Sequence, residues 1–176
     1  LLVDLDPQAN ATSCLGIDKQ SVPKSTYDIL VNDLPLDHAI QNTDYPHLDL
    51  APSSPALAGA TVELVELPQR EHRLRQALKT ANQHYDYILI DSPPSLGILT
   101  VNALTAAEDG VIIPVQCEYL ALEGLSQLAR TIELVHRVLN PQLSLRGLVM
   151  TMFDGRTTLS KQVVEEVRQH FPKRVF

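Results

Sequence analysis

The chain has no tryptophan, and only three phenylalanines and five tyrosines, in 176 residues. Its core must therefore rest on Leu, Val, Ile and Ala rather than on large aromatic anchors. There are two cysteines, Cys14 and Cys117, far apart and in no CxxC pair. With no signal-peptide pattern beside them, they predict a reducing cytoplasm and read as small apolar packing residues. The histidines, His38, His47, His72, His84, His136 and His170, are scattered, with no HxxxH pair beside a carboxylate. A zinc site is not expected from such a pattern. No apolar run approaches the ~20 residues that a membrane span requires, so no membrane contact is expected. Positive charge is also in deficit: 14 basic against 21 acidic residues give a net charge of −7. That balance favours solubility and argues against a nucleic-acid surface built from this stretch alone. The longest basic cluster, Arg70, Arg73 and Arg75, is interrupted by Glu71 and reads as a solvated helix face.

What is present is an alternation of short apolar runs with helical periodicity. This pattern predicts an α/β fold with a mostly parallel sheet and helices on both faces. Strands are expected over Leu1–Asp4, Leu48–Ala51, Tyr87–Ile90, Val111–Val115 and Leu145–Met152. The run Tyr87–Ile90 is nearly all apolar, as a strand covered on both faces should be. Pro114 implies that its strand ends there or needs no N–H at that position. Helices are expected over Ser25–Asn32, Leu36–Gln41, Ala56–Leu67, Arg70–Gln83, Leu120–Leu139 and Leu159–Phe171. No repeat, low-complexity tract or linker divides the chain, so residues 1–176 read as one domain. The final KRVF reads as another strand beginning, and the chain opens inside an apolar run; the domain is expected to be incomplete at both ends.

In open α/β sheets, ligands bind beyond the carboxyl ends of parallel strands. Asp4 and Asp6 follow the first apolar run, and Asp91 follows the Tyr87–Ile90 run. A carboxylate there is costly to bury without a positive partner, and a Mg²⁺ ion bound to phosphates is one such partner. A second carboxylate nearby could orient an attacking water. Asp equally serves a turn or a helix cap after a strand, so each of these residues also has a structural reading. A phosphate site further needs a Gly-rich loop and a lysine. None of the seven glycines precedes a lysine, and none shows GxxxxGK spacing.

Four blocks, LLVDLDPQANATSCLG, YDYILIDSPPSLGILTVNAL, VIIPVQCEYLALEGL and LVMTMFDGRTTLSKQV, occur in that order. In them the chain resembles the ParA/Soj family of chromosome and plasmid partition ATPases, deviant P-loop proteins related to MinD. The DPQxNAT and QxEYxALEG blocks favour ParA/Soj over a MinD-like site-selection ATPase. The resemblance implies a P-loop NTPase-like fold that uses ATP and Mg²⁺. It implies that Asp6 positions the hydrolytic water and that Asp91 holds Mg²⁺ through a water, with Asp4 in support near the metal. It places Gln8 and Asn10 in one switch loop, and Pro93, Pro94 and Gly97 in a second. Arg156, after the TMFDG turn, is expected in a structural ion pair rather than on ATP.

The family pattern puts a strand and a KGGxGKT loop ahead of Leu1, roughly 35–40 residues or one strand–loop–helix unit. It puts a basic DNA-binding region after Phe176. Its further implications are an ATP-bound homodimer, nonspecific DNA binding, a ParB-type partner that stimulates hydrolysis, and a nucleoid-associated location in the cytoplasm. The 176 residues alone are expected to be inactive and marginally stable. A binding module that dimerises or docks a partner without hydrolysis is the alternative.

Overall fold

The computed structural model describes residues 1–81 and 84–176, which fall into two compact units, Leu1–Ala106 and Ala107–Phe176. The first unit holds a four-stranded sheet in the order β2-β3-β1-β4. Its strands are β1 (Leu2–Asp4), β2 (Gln41–Asn42), β3 (Asp49–Ala51) and β4 (Leu89–Asp91). Strand β1 is central and runs parallel to both β3 and β4; only β2 is antiparallel. The parallel arrangement brings the carboxyl ends of β1, β3 and β4 to one edge. The register pairs Asp4 with Asp91 at that edge.

The helices of this unit are α1 (Asn10–Cys14), α2 (Thr26–Val31), α3 (Leu57–Glu63), α4 (Arg73–Leu78) and α5 (Ile98–Ala106). Helix α2 starts where Ser25 and Asp28 form a reciprocal capping box, an arrangement that contributes about 1 kcal/mol. Val3, Leu5, Leu30, Leu57, Leu64 and Leu74 are all fully buried in one aliphatic cluster. Each such side chain contributes about 1.5–3 kcal/mol by leaving water, which explains how a core with so few aromatics holds together.

Several expectations change in this unit. The 36–41 segment is a 3₁₀ turn over Leu36–His38, and Gln41 belongs to β2. Leu36 and Ala39 are buried there and Ile40 packs against the same core, so its apolar signal is met by a single short turn rather than a full helix. Helix α4 covers only Arg73–Leu78; the Gln83 end of the expected helix lies outside the described residues. Strand β4 is not covered on both faces. Ile88 and Ile90 pack on the core, whereas Tyr87 and Leu89 are 80% and 63% exposed. A single face is buried because side chains alternate along the strand, and β4 is the outer strand of its sheet. Arg73 is buried, not solvated: its guanidinium donates to the Leu30 carbonyl and pairs with Asp33. Cys14 is exposed at the end of α1 rather than packed, while Cys117 in the second unit is buried.

The second unit is built on two parallel strands, β5 (Val111–Gln116) and β6 (Leu145–Thr151), with α6 (Tyr119–Val138) and α7 (Thr158–His170). Ile113, Val115, Leu148, Val163 and Val167 form part of its buried core. Pro114 sits within β5 opposite Val149; β5 is bonded along one side only, which leaves a place for a residue with no N–H. Gly110 precedes β5 with φ +119°, and a Cβ there would run into the Ser144 carbonyl. Val175 makes a parallel bridge to Leu148, in line with the strand-like KRVF. No helix among the described residues is long and apolar enough to cross a membrane.

Candidate active site

The loop after β1 is shaped by its own sequence. Asp6 Oδ1 accepts the Gln8 N–H at 2.9 Å, and the Asp6 carbonyl accepts the Ala9 N–H at 2.8 Å. This is the turn expected of an Asp-Pro pair. Ala9 is buried with φ 53°, and α1 begins directly after it. Gln8 and Asn10 are both exposed on this loop.

Asp4 is fully buried, and its carboxylate is well supplied with donors. Oδ1 accepts the Asp6 N–H at 3.0 Å. Oδ2 accepts the Thr12 N–H at 2.8 Å and the Thr12 hydroxyl at 2.7 Å. Charge-assisted bonds of this kind offset the cost of burying a carboxylate. The Thr26 hydroxyl adds a bond to the Asp4 carbonyl at 2.9 Å. Asp4 therefore fastens β1 to the start of α1 and to α2.

Asp91 is the opposite case. It is exposed, and its carbonyl accepts the Leu5 N–H at 2.8 Å, which carries the β1–β4 ladder one step further. Among the described residues, no donor reaches its carboxylate. Partial desolvation, then the charges of Asp4 and Asp6, push its carboxyl above the ordinary value of 3.8. The same desolvation and mutual repulsion would be relieved by a bound cation. Asp6 is half-buried, with its Oδ2 likewise without a donor among the described residues.

This donor set fits Mg²⁺. The ion takes hard oxygen ligands, keeps several waters, and needs only one or two carboxylates beside substrate phosphates. Among the described residues, no group of three acidic, histidine or cysteine side chains could enclose a metal without help. Asp91 and Asp6 would face such an ion or its waters, whereas the bonds already made to Asp4 suit it to a supporting place.

The loop after β4 is the second border. Pro93 is buried, Pro94 and Gly97 are exposed, and the Thr100 hydroxyl of α5 donates to the carbonyls of Pro93 and Ser95. Gly97 has an ordinary φ and open space where a Cβ would stand, so no backbone demand explains the glycine. Arg156, in the second unit, pairs with Asp154 at 2.8 Å and is exposed. That pairing holds the Asp154 carboxyl below its usual range.

Three residues at this edge carried no signal in the sequence. Thr12 bonds Asp4 across eight positions, and Ser53 donates 2.7 Å to the Asp6 carbonyl from 47 positions away. Lys19 Nζ donates 2.7 Å to the Gln8 carbonyl and brings a cation to the first loop. Only the parallel pairing of β3 with β1 places Ser53 near Asp6, and that pairing is not written in any local spacing.

A family model described as an AAA domain matches residues 1–145. Over all 176 residues the chain is 54% identical to "Chromosome partitioning protein ParA" of Myxococcus xanthus, of which it covers 62%. It is also 54% identical over 176 residues to "Sporulation initiation inhibitor protein Soj" of Bacillus subtilis, of which it covers 69%. The chain thus spans about two thirds of the length of these relatives. Among solved structures, it resembles cobyrinic acid a,c-diamide synthase from Mycobacterium smegmatis with bound ADP and magnesium. The TM-score is 0.90 at 42% identity, covering 97% of this chain and 69% of that one.

Proposed function

We propose, for a chain that belongs to the ParA/Soj family of AAA-domain partition proteins, that it carries the acidic part of a Mg²⁺-dependent ATPase site serving chromosome or plasmid partition. The observation that carries this reading is the edge where Asp91 and Asp6 Oδ2, without donors among the described residues, stand beside a fully bonded Asp4. Mg²⁺·ATP, when bound, supplies the phosphoryl group and much of the charge neutralisation that such transfers need. Asp6 orients the attacking water through its open oxygen. Asp91 would hold the metal through a water, and Asp4 keeps the Asp6 loop in place. Gln8 and Asn10 on one side, and Pro93, Pro94 and Gly97 on the other, form the loops that border the nucleotide. The ADP and magnesium of the Mycobacterium structure support this choice of cofactor.

The reading extends to one nucleotide-binding domain over residues 1–176, since a single family model crosses the boundary between the two units. It also extends to an ATP-bound homodimer, a ParB-type partner that stimulates hydrolysis, and a nucleoid-associated location in the cytoplasm. Nonspecific DNA would be held by a region outside these 176 residues. The chromosome-partitioning name of the Myxococcus xanthus relative supports this part. By themselves, the 176 residues are proposed to be inactive, because none of their glycines precedes a lysine that could reach a phosphate.

The test is Mg²⁺-dependent ATP hydrolysis by the complete natural protein, by its Asp6→Ala variant, and by residues 1–176 alone. The complete protein should turn over, and Asp6→Ala should lose about 10²-fold or more, the usual range for a positioned base. Full turnover by Asp6→Ala would sink the assignment of that residue. Hydrolysis by residues 1–176, abolished by Asp6→Ala, would sink the proposal of inactivity.

A further inference from the structure

The Asp6–Pro7 peptide has no N–H, so its carbonyl is the only backbone group through which the rest of the protein can fix its plane. That carbonyl accepts two bonds. One, from Ala9, lies within the same loop. The other comes from Ser53, a fully buried residue beyond the end of β3. Ser53 also donates its N–H to Thr12 Oγ1 at 2.9 Å, and Thr12 donates both its N–H and its hydroxyl to Asp4. The Asp6 N–H returns to Asp4 Oδ1. Four residues from three separate segments thus close a ring of hydrogen bonds around the backbone of Asp6, and each atom in it has a partner.

We infer that Ser53 is a positioning residue for hydrolysis: with Thr12 it ties the Asp6 backbone to the buried Asp4 and so sets where the Asp6 carboxylate points. The inference rests on the proposed role of Asp6. Ser53 does not touch the reacting atoms. Its hydroxyl holds the peptide plane next to the carboxylate, and a displacement of about 1 Å at such a group can cost two orders of magnitude in rate. Removing that hydroxyl leaves the Asp6 carbonyl bonded to Ala9, so the fold should persist while the loop loosens.

The experiment uses the complete natural protein with Ser53→Ala, Ser53→Thr, Thr12→Val, Asp6→Ala and the Asp6→Ala/Ser53→Ala double variant. Ser53→Ala should lower kcat about tenfold with KM within about twofold, the pattern of a lost transition-state arrangement. Ser53→Thr, which keeps the hydroxyl, should stay within about threefold of the parent, and Thr12→Val should behave as Ser53→Ala does. On the Asp6→Ala background, Ser53→Ala should cause no further loss, because both act through one group. A second readout needs no turnover. Amide hydrogen exchange in the nucleotide-free protein should quicken about tenfold at Gln8 and Ala9 in Ser53→Ala and stay unchanged at Leu30 in α2.

A parent that does not hydrolyse ATP, or an Asp6→Ala variant as active as the parent, overturns the role of Asp6 and this inference with it. If Asp6→Ala is inactive while Ser53→Ala keeps its kcat within twofold, or leaves exchange at Gln8 and Ala9 unaltered, the inference alone fails. An equal loss from Ser53→Ala with and without Asp6 also overturns it, since that is the behaviour of a general folding defect.

Discussion

Asp4 and Asp91 are register partners at the ends of adjacent parallel strands, yet one carboxylate is buried with three donors and the other has none among the described residues. Two residues of one chemistry, in equivalent places on neighbouring strands, have thus been given different tasks by their surroundings. Asp4 is spent on structure. Asp91 stays charged at some cost, because desolvation and the neighbouring carboxylates both oppose its ionisation. A bound cation would relieve both effects, which is the role proposed for this edge.

The raised Asp91 carboxyl makes stability depend on pH in a defined direction. The folded state holds this proton more tightly than the unfolded state does. The resulting contribution is present below the ordinary value of 3.8 and is lost as pH rises through the elevated value. Asp91→Asn removes the titration. The variant should match the parent at the acid end of that window and exceed it in stability above the window. Urea midpoints measured for both proteins across the pH range check this. A variant that is less stable than the parent at neutral pH would show that the Asp91 charge is compensated after all.

Asp4→Asn should have the opposite sign. An amide keeps one acceptor oxygen but turns an N–H₂ toward donors that already point at the site. At least one buried donor is then left unpaired, at a cost of about 1–3 kcal/mol, more where the lost bond was charge-assisted. Asp6 Oδ2 has no donor among the described residues, and Asp6→Asn should change stability by no more than about 0.5 kcal/mol. Equal losses from the two substitutions in chemical denaturation would contradict the division of labour drawn here.

Much of this edge was legible in the sequence, because a carboxylate directly after an apolar run is costly to bury and must answer either to a turn or to a positive partner. Asp4, Asp6 and Asp91 stood out for that reason, and the pairing of β1 with β4 brings Asp4 and Asp91 into register. The partners that separate them were not legible. Thr12, Thr26 and Ser53 reach Asp4 and Asp6 across gaps of eight to 47 positions, and ordinary hydroxyl residues advertise nothing at such range. Strand β4 misled for a related reason. An apolar run is the same whether one face is covered or two, and the run was apolar on the side of Tyr87 and Leu89 that is exposed. Charge periodicity misled at Arg73, where a cluster of basic residues suggested a wet helix face.

Arg73 shows what that cluster conceals. Its side chain is 92% out of contact with solvent by the 8% exposure it retains, and it donates to the Leu30 carbonyl near the end of α2 as well as pairing with Asp33. A cation at the carboxyl end of a helix also meets the favourable end of the helix dipole. Arg73→Met keeps the apolar stem but strips the donors, leaving the Leu30 carbonyl without this bond. The expected loss is about 1–3 kcal/mol. Asp33→Ala should cost less than Arg73→Met, because the Asp33 side chain is 81% exposed and water can replace part of the pair. Arg75→Ala, a neighbour from the same basic run that is only half-buried, should stay within about 0.5 kcal/mol of the parent. Urea denaturation of the three variants measures the ranking. Equal, small effects at Arg73 and Arg75 would mean that the run is a solvated face and that the Arg73 contacts contribute nothing.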